Sequence, residues 1–291
     1  MNGVTSAIVG AGRMGQGIGL GLMAAGWDVT LVTRTPRPVA PPLRLHTGAG
    51  AGDVVRRATL VLVATPDDAI PSAAAELAAE GGIGPGHSVL HLSGLLDRSA
   101  LAPLGGTGAA LGSFHPLQTV AEPGAAPARL RGAYAGVEGD PRALAMAHLV
   151  AAALGMVAVP LDPAAKPLYH AGAVLTANYT TALVGVAQGL AIRAGVPAEV
   201  AARMYLPLVA GAAANLVELG AVRALTGPVR RGDLGTIRAH LAALPGDVLP
   251  LYRALGLAAL ELAREAGLPD AAAAAVRDLL GKNGRGGVAG G

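Results

Sequence analysis

Ile8-Val9-Gly10-Ala11-Gly12-Arg13-Met14-Gly15 decides the reading of the fold. The stretch sits where an apolar run over residues 5–9 ends and a helical pattern over residues 13–25 begins. Gly10 suits a tight turn, Gly12 lets backbone approach a pyrophosphate, and Gly15 lets helix and strand pack closely. The helix start at Arg13 and Met14 then offers N–H groups and partial positive charge to phosphates. A second strand, residues 28–32, ends at Val32-Thr33-Arg34-Thr35. Sites for NAD place an acid here against the ribose 2′-hydroxyl. This chain has Thr33 and Arg34 instead, with Arg37 close by. A guanidinium can hold a 2′-phosphate with its planar fork. The expected cofactor is therefore NADP(H), the alternative for Arg34 being an ordinary surface arginine.

Outward from this turn, apolar runs alternate with helical ones. Strands are expected over residues 59–64, 88–92, 109–113, 133–137 and 156–159, with helices over 53–58, 70–79 and between the last two strands. Residues 36–42, rich in proline, read as a loop. The alternation predicts an α/β doubly wound parallel sheet of the Rossmann type. In such sheets ligands bind at the carboxyl edge. That places Thr65-Pro66, Ser93-Gly94 and His115-Pro116 around the nicotinamide, with Thr65, Pro66 and Ser93 toward the cofactor and His115 toward the substrate, the alternative for His115 being a structural histidine. Asp67 and Asp68 read as caps of the next helix.

The pattern changes near Leu161. Helices are expected over residues 167–194, 198–220, 234–243 and 250–266. The expected organisation is a Rossmann domain over residues 1–160, an all-helical domain over 161–282 for substrate binding and dimerisation, and a disordered glycine-rich tail over 283–291. On the first helix, His170, Thr181 and Gln188 fall on nearly one line at 100° per residue. Asn178 lies about 80° around from His170 and about 12 Å along the axis. Ala173 and Ala177 between them leave room for a ligand. Lys166 or His170 is the candidate acid or base and Asn178 the candidate orienting group, against the alternative of a polar seam between packed helices. Thr226 and Arg231, in a loop broken by Gly227 and Pro228, could bind an acidic substrate group or a cofactor phosphate, the alternative for Arg230 and Arg231 being a solvated turn. Asp233 is expected to cap the following helix.

Composition narrows the function classes. The 291-residue chain has no cysteine, so thiolate chemistry and disulfides are excluded. Net charge is +3 and aromatics are 2%, with no basic block, which argues against nucleic acid. The histidines lack ligand spacing, so no metal is inferred. The longest apolar stretch, residues 143–161, is divided by Gly155 and Pro160 and is not expected to span a membrane. A cytoplasmic location is expected. Broad apolar helix surfaces after Leu161 predict a homodimer.

The segments IVGAGRMG, VLVATPDDAI, HLSG, SFHPLQT, KPLYHAGAVLTANY and ALTGPVRRGD, with TIRAHLAAL after the last, run in order along almost the whole chain. Together they resemble a family that joins a Rossmann-like domain to a helical C-terminal domain of unknown function. More distantly, the layout is similar to deazaflavin-dependent NADP oxidoreductases, pyrroline-carboxylate reductases, ketopantoate reductases and 6-phosphogluconate dehydrogenases, the last of these giving the expected shape of the helical domain. The resemblance implies a substrate held between the Rossmann edge and the first long helix. Several of those enzymes use a lysine followed four residues later by asparagine or histidine, a spacing that Lys166 and His170 match. The expected function is an NADP(H)-dependent oxidoreductase of a small carbonyl, hydroxy or imine compound. The alternatives are a ketopantoate reductase-like enzyme and a silent NADP-binding sensor or scaffold.

Overall fold

The run TLVLVA lies at the centre of the molecule's sheet. In the computed structural model, which describes residues 4–48 and 51–281, Leu60–Val63 forms strand β4, with all four side chains wholly buried. A strand buried on both faces carries no polar alternation, which is why it reads as one apolar run. The expected disordered tail lies outside the described residues.

Eight strands form one sheet: β1 (Thr5–Val9), β2 (Asp28–Thr33), β3 (Arg44–Thr47), β4, β5 (Ser88–His91), β6 (Ala110–Pro116), β7 (Tyr134–Gly139) and β8 (Val157–Pro160). Their spatial order is β3-β2-β1-β4-β5-β6-β7-β8. The order reverses between β1 and β4, so the Rossmann switch point falls beside the glycine-rich turn. Helices α1 (Arg13–Ala24), α2 (Ala51–Arg57), α3 (Ile70–Ala79), α4 (Ala126–Leu130) and α5 (Pro141–Leu154) accompany the sheet. On one face Ile18, Leu22, Ala147 and Val150 pack with Ile8, Leu31 and Leu62. On the other, Val55, Ile70, Ala74 and Leu77 pack with Val61, Val63 and Val89. Each such aliphatic side chain contributes roughly 1.5–3 kcal/mol by leaving water.

Two features depart from the expectation. The sheet is parallel except that β7 runs antiparallel to β6. Between them lie only a 3-10 turn (Pro123–Ala125) and the five-residue α4, without a full crossover helix, and the chain returns alongside instead of crossing over. The edge strand β3 was not foreseen, because only Leu45 of Arg44-Leu45-His46-Thr47 is apolar and no alternation marks it.

The helical part comprises α6 (Lys166–Arg193), α7 (Ala198–Met204), α8 (Leu206–Ala224), α9 (Pro228–Arg231), α10 (Leu234–Ala243), α11 (Leu249–Glu265) and α12 (Asp270–Gly281). Packing divides the chain into two compact units inside α6, at Tyr179 and Thr180, so the first turns of α6 belong with the sheet. The second unit has its own core of Val229, Ile237, Leu260, Val276 and Leu280. Asp233 caps α10 as expected, accepting from the Thr236 N–H at 3.0 Å and its hydroxyl at 2.6 Å. Among the described residues one run, Ala198–Arg231, is long and apolar enough by composition to cross a membrane. Gly220 interrupts it with non-helical dihedrals, φ 73° and ψ 167°.

His91 closes β5 and fixes the loop that follows. Its Nδ1 accepts from the Ser93 N–H at 3.2 Å, so its Nε2 must donate to the Asp97 carbonyl at 2.9 Å. The ring is wholly buried and both nitrogens are satisfied only in the neutral form. Burial, opposed by the bond to Asp97, lowers its pKa to about 4. The folded state therefore refuses a proton that the unfolded chain accepts. Stability should fall as pH drops below the ordinary histidine value and should have lost this contribution, on the order of 3 kcal/mol, below about pH 4. Urea unfolding across that range should give a shallower pH slope for His91→Gln than for the parent.

Candidate functional site

The glycine-rich turn fits a dinucleotide by three different glycine roles. Gly10 has φ +107°, and a Cβ there would lie 2.7 Å from the Ala64 carbonyl oxygen. Gly15 packs so tightly that a Cβ would meet the Gly10 carbonyl at 2.6 Å. At Gly12, by contrast, a Cβ would find no atom within 4 Å. Two glycines are thus required by the protein's own packing, and the third faces open space at the start of α1. Gly12 is also the N-cap residue of that helix and makes no side-chain cap, which leaves the N–H groups of Arg13, Met14 and Gly15 available to phosphate. Beside the turn, the buried Thr65 hydroxyl oxygen has no hydrogen-bond partner. A buried hydroxyl without a partner calls for one, and a cofactor atom could supply it.

Gln16 braces this turn. Its amide donates to the Ala11 carbonyl at 2.9 Å and accepts from the Ala40 N–H at 2.8 Å, tying the proline-rich loop after β2 to the phosphate turn. At the end of β2 the Thr33 hydroxyl donates to the Thr35 carbonyl at 2.8 Å. Arg34 is exposed, its guanidinium 3.4 Å from the Glu76 carboxylate on α3. A 2′-phosphate would compete with that carboxylate for the guanidinium.

Along the carboxyl edge the loops are bonded to one another. Pro66 is exposed in the loop after β4. Asp67 beside it does not cap α3, as had been expected. Its carboxylate instead accepts from the Ser93 hydroxyl at 2.7 Å, joining the loop after β4 to the loop after β5. Ser93 Oγ also accepts from the N–H groups of Leu95 and Leu96, so this hydroxyl is committed within the protein. Gly94 then passes between two imidazoles. A Cβ there would lie 2.7 Å from His170 Cδ2 and 2.8 Å from His115 Nε2. The two rings meet edge to face with centroids 5.8 Å apart. His115 Nδ1 lies 3.0 Å from the Tyr169 hydroxyl. Burial, the neighbouring His170 and Lys166 together lower the His115 pKa to about 4, with Asp67 opposing. Burial raises that of Tyr169. His115, His170 and Asn178 line one cavity of about 580 Å³, a size suited to a small molecule. Thr226 and Arg231 line another cavity, within the second unit, together with Arg223 and Arg230. Gln188 is also in that unit, its amide donating to the Ala202 carbonyl.

Residues 2–116 match the family model of a Rossmann-like domain, and residues 133–259 that of a domain of unknown function, DUF2520. The chain joins a Rossmann-like domain to a DUF2520 domain. The DUF2520 match begins one residue ahead of β7, so it takes in the last two strands as well as most of the helical part. No curated protein matches in sequence. Among solved structures, a Bacteroides fragilis protein described as a candidate NADP oxidoreductase is 21% identical with a TM-score of 0.65, over 91% of this chain and 98% of its own. A Thermotoga maritima protein is 22% identical with a TM-score of 0.66, over 89% and 98%. The Plasmodium falciparum pyrroline carboxylate reductase, solved with NADP bound, is 11% identical with a TM-score of 0.57, over 96% and 99%. At these identities the likeness is one of fold.

Lys166 is wholly buried at the start of α6. Its amine donates to the Ser93 carbonyl at 3.2 Å and to the Ser113 hydroxyl at 2.7 Å. Ser113 in turn donates to the Glu138 carboxylate at 3.4 Å, which also accepts from the Arg98 N–H at 2.9 Å. Burial pushes the lysine pKa down and the glutamate pKa up, while their mutual attraction opposes both shifts. Sequence reasoning found the lysine and missed its partners Ser113 and Glu138. The available signal was an acid inside the otherwise uncharged strand YAGVEG. Tyr169 was also missed, though it precedes His170.

The glycine roles separate experimentally. Gly12→Ala should fold with near-parental stability and lose most dinucleotide affinity. Gly15→Ala should lose at least about 1 kcal/mol of stability, since backbone must shift to admit the methyl. Denaturant unfolding and NADPH fluorescence titration of both variants check the contrast.

Proposed function

We propose that this chain is an NADP(H)-dependent oxidoreductase of a small carbonyl, hydroxy or imine compound, with the substrate in the His115–His170 cavity. The observation that carries the reading is the continuous line of groups on the carboxyl edge. It runs from the open turn at Gly12, past the unpartnered Thr65 hydroxyl and the Asp67–Ser93 bond, to the two imidazoles packed on Gly94. The NADP named for the Bacteroides and Plasmodium neighbours supports the choice of cofactor.

A bound dihydronicotinamide supplies a hydride to the substrate carbon. The chain's own residues do the rest. His170 gives a proton to the oxygen or nitrogen that receives the displaced π pair, and takes it back in the reverse direction. Asn178 orients the substrate by hydrogen bonding. Lys166, with its amine committed to Ser93 and Ser113, holds the loop under the histidines as a positioning residue. Its burial equally suits a silent NADP-binding protein, and the His170 variant distinguishes the two. The reading includes a homodimer through the helical unit, supported by the exposed Leu206, Leu208, Leu216 and Val217 of α8.

Three outcomes follow. NADPH should bind more tightly than NADH, and Arg34→Ala should remove roughly 1.5–3 kcal/mol of that preference, less if Glu76 already holds the guanidinium. Competitive titration of the two cofactors measures this, and equal affinities in the parent protein would count against it. His170→Ala should bind NADPH like the parent and lose about 10²–10⁴-fold in turnover, whereas undiminished turnover removes His170 from the chemistry. Sedimentation at micromolar concentration without detergent should give a dimer, and a monomer there rejects the assembly.

A further inference from the structure

The cavity beside the imidazoles has a chemical character beyond its size. Its walls come from residues 115–119, at and after the end of β6, and from the first turns of α6. Its polar lining includes His115, Gln118, Thr119, Tyr169, His170 and Asn178, with Leu117, Ala173 and Val174 among the apolar residues. Among the described residues that line it, none is Asp, Glu, Lys or Arg. The charged groups that act on His115 from outside the lining, Lys166 and Asp67, are engaged elsewhere. Lys166 is wholly buried, its amine taken by Ser93 and Ser113. The Asp67 carboxylate is taken by the Ser93 hydroxyl. The Gln118 amide donates to the Arg129 carbonyl and accepts from the Thr119 N–H. What remains is hydrogen-bonding capacity against apolar walls, without a fixed charge: the proton that His170 carries is the one it delivers to the reacting atom. His115 is neutral at physiological pH, and the Tyr169 hydroxyl keeps its proton.

A carboxylate or phosphate that leaves water needs a cation or a set of convergent N–H donors to replace its hydration. A ketone, aldehyde or neutral imine needs one or two hydrogen bonds, which imidazole, phenol and amide groups provide. We infer that the substrate of this site is an uncharged carbonyl compound or neutral imine, bearing no carboxylate or phosphate. The inference rests on the oxidoreductase reading above and narrows its substrate class. It sets this chain apart from enzymes whose substrates carry a carboxylate beside the reacting carbon.

The test uses matched pairs of small ligands: a 2-oxo acid against its methyl ester, and a cyclic imine carboxylate against the same ring without the acid. Binding to the 291-residue chain saturated with NADP+ is followed by calorimetry, and NADPH oxidation is assayed with the same pairs. The neutral member should bind at least about ten-fold more tightly, with kcat/KM shifted by a similar factor. Ala173→Lys, which places a cation in the lining, should bring the acid member up by about ten-fold relative to the neutral member. The inference is overturned if the acid member binds better or is reduced faster in the parent protein. It is also overturned if NADPH binds and neither member of any pair does. Failure to bind NADPH at all rejects the oxidoreductase reading itself, and the substrate inference with it.

Discussion

The arrangement of the candidate site depends on one buried amine. Lys166 opens α6, and its Nζ reaches the carbonyl after β5 and a hydroxyl on β6. A lysine wholly out of water costs several kcal/mol unless its donors are met and its charge is balanced. Here the balance arrives through Ser113 from Glu138 on the antiparallel strand β7. The network thus ties β5, β6, β7 and the first turn of α6 at one point. Tyr169 and His170 follow on that same turn of helix, so their positions over Gly136 and Gly94 are set by the lysine's anchorage.

That anchorage also explains where the chain divides. A boundary drawn where strands give way to helices falls near Leu161, yet the packing divides at Tyr179 and Thr180. Composition changes when helices begin, whereas compactness follows contacts, and the start of α6 makes its contacts with the sheet. The histidine, tyrosine and asparagine of the cavity therefore lie on a helix that is continuous with the second unit and packed in the first.

Much of the fold was legible because the signals were local. Glycine spacing, continuous apolar strands and glycine stops each identify an element without knowledge of its neighbours. The turn at Gly10, Gly12 and Gly15 is the strongest case, since each glycine answers a different steric demand. What escaped was pairwise. Nothing near Glu138 in sequence announces Lys166, and nothing near Asp67 announces Ser93. The reversed direction of β7 escaped for a related reason, as strand polarity in a sheet depends on the path of the connection and not on the strand's residues. His115 and His170 could each be suspected singly, but their contact across Gly94 exists only in three dimensions.

Gln16 carries a consequence for chain length. Its one amide holds the Ala11 carbonyl with its nitrogen and the Ala40 N–H with its oxygen. The segment between the end of β2 and Ala40 is a span fastened at both ends, even though its residues are mostly exposed. Insertions or deletions there are constrained by the reach of a single side chain: a change in residue number must bring the same N–H back to the same oxygen or leave a polar group in the phosphate turn without its partner. A surface loop of this composition would ordinarily be among the most tolerant sites for such changes, and here its tolerance is set from beneath, by the helix that carries the glycine turn.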